Sequence, residues 1–146
     1  MRETLQDKDE GFTQLHSLMT IEEIARLRPI WIHAASGEIE YARPLIRELK
    51  KKYPETPLLV TYSSPSAKKI LGGLDEVDAW AALPWESAAA ITDFIEKWKP
   101  RVLLFARTDV WPVLADTCHQ LGLPSLLFAA TFAQNSSRLR GLSLSP

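Results

Sequence analysis

The sequence predicts an α/β fold: a doubly wound, Rossmann-like parallel sheet of about five strands with helices on both faces. Two observations lead there. Short runs rich in Leu, Val, Ile and aromatic residues recur along the chain without polar alternation, as expected of strands buried on both faces. Between them, apolar residues recur every three or four positions, the period of a helix with one buried side. Right-handed crossovers then make 3-2-1-4-5 the natural strand order.

Residues 1–28 read as an N-terminal extension. Phe12, Leu15, Met19, Ile24 and Leu27 form a weak amphipathic pattern. Thr20 and Glu23 have the spacing of a capping box, so a short helix is expected from Ile21, and Pro29 ends it. Residues 29–130 read as the domain proper. Ile30 to Ala34 is the first strand. Ile39, Ala42, Ile46, Leu49 and Tyr53 mark one face of a helix, with Pro44 in an early turn or at a kink. Leu58 to Tyr62 is the second strand. Ser64-Pro65 opens a short helix that stops at Gly72-Gly73. Val77 to Leu83 is the third strand, and Ile91, Phe94, Ile95 and Trp98 mark a helix closed by Pro100. Val102 to Ala106 is the fourth strand. Asp109 is a cap for a helix with Pro112 in its first turn and Gly122 and Pro124 at its end. Ser125 to Ala129 is the fifth strand. Residues 131–146 have no apolar period and read as a tail, with no second lobe.

The composition narrows the function. A chain of 146 residues, 46% hydrophobic and 24% charged, fits one folded domain. A net charge of −1 argues against a nucleic-acid partner. The densest basic run, Lys50-Lys51-Lys52, reads as a solvated helix end complementing the helix dipole. Cys118 is the single cysteine, and no Cys/His cluster has metal-ligand spacing, so neither metal nor cofactor is expected. No dinucleotide or P-loop glycine motif occurs, and no apolar stretch suits a signal peptide or membrane span. Asn135-Ser136-Ser137 matches a glycosylation sequon without any secretion signal to support its use.

In a doubly wound sheet, ligands bind where loops leave the carboxyl ends of the strands. Three such loops stand out: Ala35 to Glu38, Ser63 to Ser66, and Arg107 to Pro112. Of the histidines, only His33 lies near the first loop, and a hydrogen-bonded core role is expected for it. His16 and His119 read as helix-surface residues. Trp31, Trp80, Trp85, Trp98 and Trp111 read as packing residues, with Trp85 and Trp111 near the expected cleft.

Ordered motifs then point to a family. Trp31-Ile32-His33-Ala34-Ala35-Ser36-Gly37-Glu38 resembles the W-I-H-A-A-S-V-G-E loop of the bacterial Kdo (3-deoxy-D-manno-octulosonic acid) transferases. Leu59-Val60-Thr61 with Pro65-Ser66, then Leu83-Pro84-Trp85-Glu86, resemble the family's next two motifs. Lys99-Pro100-Arg101-Val102-Leu103-Leu104 with Thr108-Asp109-Val110-Trp111-Pro112 resembles its R-P-x-x-L-x-x-x-E-T-E-L-W-P stretch. The resemblance spans residues 30–141. It implies the N-terminal, acceptor-side half of a GT-B glycosyltransferase that moves Kdo from CMP-Kdo onto a lipid A precursor in lipopolysaccharide biosynthesis. It further implies that CMP-Kdo is held by a carboxyl-terminal lobe, without which this half is not expected to act. The implied location is the bacterial cytoplasm, extending to the inner face of the inner membrane.

Residue by residue, Glu38 matches the family's general base; a helix-start Glu that only complements the dipole is the plainer reading. Ser36 and Gly37 offer backbone N–H groups to an anion, or simply make a tight turn. The family's Val between them is absent. Arg107 stands where the family has Glu, and is read as a partner of Glu38 or Asp109, a ligand for an acceptor phosphate, or a surface residue. Asp109 keeps an acidic position that helix capping also explains. Ala129 and Thr131 replace the family's Asn and Arg. Two readings therefore stand side by side. One is a transferase lobe partnered by a carboxyl-terminal lobe; the other is a diverged binding or scaffold domain, monomeric or a homodimer, recognising a related sugar phosphate.

Overall fold

A computed structural model of the chain describes residues 13–15, 19–34, 39–63, 74–84, 87–106 and 112–128. Its centre is a sheet of six strands: β1 (Thr13–Leu15), β2 (Ile30–His33), β3 (Leu58–Tyr62), β4 (Ala79–Ala82), β5 (Val102–Ala106) and β6 (Ser125–Phe128). The order is β1-β4-β3-β2-β5-β6. The last five of these are parallel to their neighbours, so the expected 3-2-1-4-5 arrangement is what forms. β1 adds to it antiparallel to β4, with Thr13 opposite Ala81 and Leu15 opposite Ala79. That strand was not read from the sequence, because three residues of Thr-Gln-Leu carry no period.

Among the described residues four helices flank the sheet: α1 (Ile21–Arg26), α2 (Ile39–Lys52), α3 (Ala88–Trp98) and α4 (Pro112–Gln120). Alternate residues of the buried strands divide between two cores. Ile30, Ile32, Leu58, Val60, Tyr62, Trp80 and Leu104 pack against Ile39, Ala42 and Ile46 of α2. Trp31, Leu59, Ala79, Ala81, Leu103 and Phe105 pack against Ile24, Ile91, Phe94, Trp98, Leu114 and Cys118 from α1, α3 and α4.

Local chemistry sets the helix ends. The capping box of α1 is complete: Thr20 Oγ1 accepts from the Glu23 N–H at 3.2 Å, and Glu23 Oε2 accepts from the Thr20 N–H at 3.4 Å. Past its end, Arg101 donates from Nε to the Arg28 carbonyl (2.6 Å) and from Nη2 to the Leu27 carbonyl (2.7 Å), tying α1 to the start of β5. Ser87 caps α3, whose last residue is followed by Lys99 in the left-handed region before Pro100. α4 begins at Pro112 and ends in a Schellman turn. Leu123 N–H bonds to the Cys118 carbonyl, Gly122 N–H bonds to the His119 carbonyl, and Gly122 has φ +73°.

Two side-chain readings change. Lys50 is not a solvated surface lysine: its ammonium lies 2.8 Å from Asp78 Oδ2, which also accepts from the buried Leu58 N–H at 2.9 Å. Tyr53 does not continue the buried face of α2 and is 45% exposed, because the helix ends at Lys52 and the chain turns there. β4, expected as the third strand from Val77, begins two residues later at Ala79, since Val77 and Asp78 are occupied in a turn and in the bond to Leu58. At the far edge, β6 is only partly covered, and Leu126 is 62% exposed.

Candidate functional site

β2 lies between β3 and β5. The chain steps outward from β2 to β3 and β4, then crosses back to β5 and β6, so the winding reverses beside β2. At such a reversal neighbouring connections part to opposite faces and leave a crevice above the strand ends. His33, the last residue of β2, is in register with both Thr61 of β3 and Phe105 of β5. Adjacent strands run roughly 5 Å apart. The chain therefore departs toward residues 35–38, 64–73 and 107–111 from three neighbouring positions along one end of the sheet.

Ser36, Gly37, Glu38, Arg107 and Asp109 lie outside the described residues, as do the Ser64-Pro65 helix, Gly72-Gly73, Trp85 and Trp111. The described framework beneath them is well defined. Ile39, directly after Glu38 in sequence, is fully buried as the first residue of α2, and Ala34 is fully buried just after β2. In the same helix start, Arg43 Nη2 pairs with Glu40 Oε1 at 3.1 Å. Pro44 sits inside the helix and has no N–H to give the Glu40 carbonyl, so the first turn is held less tightly to the rest than in an uninterrupted helix.

At the carboxyl ends of β2 and β3 lies a polar network that the sequence did not single out. Trp31, His33 and Thr61 are all completely buried on one face of the sheet. Trp31 Nε1–H donates to Thr61 Oγ1 at 2.8 Å. Thr61 Oγ1 and His33 Nδ1 lie 2.9 Å apart. The expected hydrogen-bonded core role of His33 is what forms, and Thr61 is a partner in it. A Thr inside the apolar run Leu58-Leu59-Val60-Thr61-Tyr62 was the available signal, but Thr is also a common strand residue.

Elsewhere the titratable groups read simply. Burial pushes the Cys118 thiol up to about 11, in the core between α4 and the sheet. His119 is exposed in the last turn of α4. Trp31, Trp80 and Trp98 are core residues, as expected. Among the described residues no group of three or more His, Cys, Asp or Glu is arranged to hold a metal ion. No helix among them is long and apolar enough to cross a membrane.

Comparison with known proteins identifies a family. A family model described as 3-Deoxy-D-manno-octulosonic-acid transferase (kdotransferase) matches residues 7–143. The chain is 34% identical over 111 residues to a 3-deoxy-D-manno-octulosonic acid transferase of Rickettsia conorii, covering 75% of this chain and 24% of that protein. It is 32% identical over 111 residues to the protein of the same name from Haemophilus influenzae, covering 75% and 25%. For the one from Aquifex aeolicus the figures are 33% over 87 residues, covering 58% and 24%. The chain thus spans about a quarter of the length of the curated relatives it matches.

Proposed function

Because this chain belongs to the 3-deoxy-D-manno-octulosonic acid (Kdo) transferase family, we propose that it is the N-terminal, acceptor-side lobe of such an enzyme, serving Kdo transfer from CMP-Kdo to a lipid A precursor. The observation that carries this reading is the family match over residues 7–143, joined to a parallel sheet whose winding reverses beside the strand leading to Glu38.

In this reading the Glu38 carboxylate takes the proton of an acceptor hydroxyl as its oxygen attacks the anomeric carbon of Kdo. The bond from that carbon to the CMP phosphate breaks, and CMP leaves with the electron pair. Glu38 directly precedes α2, where the dipole favours an ionised carboxylate and keeps the base ready. Ser36 and Gly37 supply backbone N–H groups for an acceptor anion. Arg107 meets an acceptor phosphate, and Asp109 orients that arginine. CMP-Kdo is held by a carboxyl-terminal lobe, and the work is done in the bacterial cytoplasm at the inner face of the inner membrane, where lipid acceptors are met.

Two departures from the family pattern favour a second reading. Ser36 joins Gly37 without the family's intervening Val, and Arg107 replaces an acidic residue, changes that suit a diverged domain binding a sugar phosphate without catalysis. Kdo transfer to a lipid A precursor separates the two. The chain is assayed alone and mixed with a carboxyl-terminal lobe from a relative, each with wild-type Glu38 and Glu38→Ala. Transfer that needs the second lobe and falls about 10²–10⁴-fold in Glu38→Ala supports the transferase. No transfer in any mixture, from folded protein, leaves the binding domain, with Arg107→Ala next to test against phosphorylated glycolipid.

A further inference from the structure

We propose that Thr61 and His33 act as a positioning pair for Kdo transfer: Thr61 holds the His33 imidazole in one tautomer and so fixes the strand end from which the Glu38 segment departs. This rests on the transferase reading above.

The tautomer follows from counting donors. Trp31 Nε1–H only donates, so Thr61 Oγ1 is its acceptor at 2.8 Å. The one remaining proton on that oxygen is the hydroxyl's own. Thr61 is completely buried, and a buried hydroxyl is expected to find an acceptor. His33 Nδ1, at 2.9 Å, is the acceptor within reach. It accepts only when it carries no proton, which leaves the ring proton of the neutral imidazole on Nε2. The donors run one way, from indole to hydroxyl to imidazole, and bonds ordered like this reinforce one another.

The network is braced from both sides. The Trp31 ring packs 4.8 Å from Phe94, which in turn lies 6.1 Å from Trp98, so α3 holds the indole that starts the chain. The Ala34 N–H bonds to the Thr61 carbonyl at 3.0 Å, carrying the β2–β3 ladder one residue past His33. Side chain and backbone of Thr61 thus both grip the last residues before position 35. A stability role alone gives a weaker account. Three apolar side chains would fill this face without any polar group to satisfy, and a buried polar network is costly wherever it is incomplete. What the polar version adds is a single orientation for the end of the central strand, at the point where the winding reverses.

The test needs a readout that stability does not move. Nitrogen-15 spectra of the folded chain report the His33 tautomer directly: Nε2–H is expected in wild type and in Thr61→Ser, and its loss in Thr61→Val. In the two-lobe transfer assay, Thr61→Val is expected to lower kcat roughly tenfold, as for a misplaced base, with KM within about twofold. Thr61→Ser, which keeps the hydroxyl, is expected to restore kcat. An Nδ1–H tautomer in the wild type overturns the proposal, even if the variants fail to fold. So does an unchanged kcat in Thr61→Val while Glu38→Ala abolishes transfer, an outcome that leaves the transferase reading intact. Absence of transfer from the wild-type mixture removes the transferase reading, and the positioning role with it.

Discussion

Removing the Asp78 carboxylate is expected to cost this domain more than any surface change. Asp78 Oδ2 accepts from Lys50 Nζ at 2.8 Å and from the Leu58 backbone N–H at 2.9 Å. Leu58 is completely buried, so in Asp78→Ala its amide is left without an acceptor, a loss of about 1–3 kcal/mol. The bond to the lysine is charge-assisted and worth about 1.5–3 kcal/mol where it is shielded. Lys50 keeps 25% of its side-chain surface and regains water when released, so the lower end applies to it. The sum is about 3 kcal/mol, which for a chain of this size lowers Tm by roughly 6–12 °C. Asp78→Asn keeps an oxygen for the Leu58 amide and loses only the charge, so about 1 kcal/mol is expected. Urea unfolding at neutral pH, followed by tryptophan fluorescence, measures both. A loss under about 0.5 kcal/mol in Asp78→Ala, or equal losses in the two variants, refutes the assignment of Asp78 as the acceptor for a buried amide.

Three further outcomes are expected of the framework. Cys118 has its thiol pushed up from 9.0 to about 11 by burial. At pH 8 a thiol reagent should therefore modify the native chain about 100-fold more slowly than the unfolded one, from ionisation alone. The folded state holds this proton more tightly, so its stabilising effect is complete below pH 9 and fades as the pH rises toward 11; Cys118→Ala should flatten that alkaline decline. Gly122→Ala should cost about 1 kcal/mol and a few degrees in Tm, because φ is +73° although a Cβ there meets nothing within 4 Å. A neutral result would mean that the turn after α4 relaxes to negative φ.

The elements legible in the sequence were those whose burial repeats. β2, β3 and β5 are apolar runs with both faces covered, and each was located within a residue. Capping chemistry gave the start of α1 and the end of α4, since Thr20, Glu23 and Gly122 have few other ways to satisfy the backbone there. What escaped notice depends on partners distant in sequence. β1 is a strand only because β4 lies alongside it, 64 residues away at Leu15 and Ala79. Lys50 looked like any lysine at a helix end until the fold brought Asp78 beside it. The site was legible at one level only. Motif order gave the loop and its candidate base, while the Thr61–His33 bond joins adjacent strands across 28 positions and has no local signature.

The two edges of the sheet have different fates. β1 runs antiparallel along β4 and closes that side, so its exposed backbone groups belong to a strand of three residues, too short to recruit another. At the opposite side β6 presents Leu126 at its surface, and no described strand lies beyond it. Among the described strands, β6 is therefore the edge with more room for growth, open to a strand from a second molecule. Every such addition lengthens the sheet away from β4 and leaves the reversal beside β2 where it is, so this architecture is extended without its crevice being rebuilt.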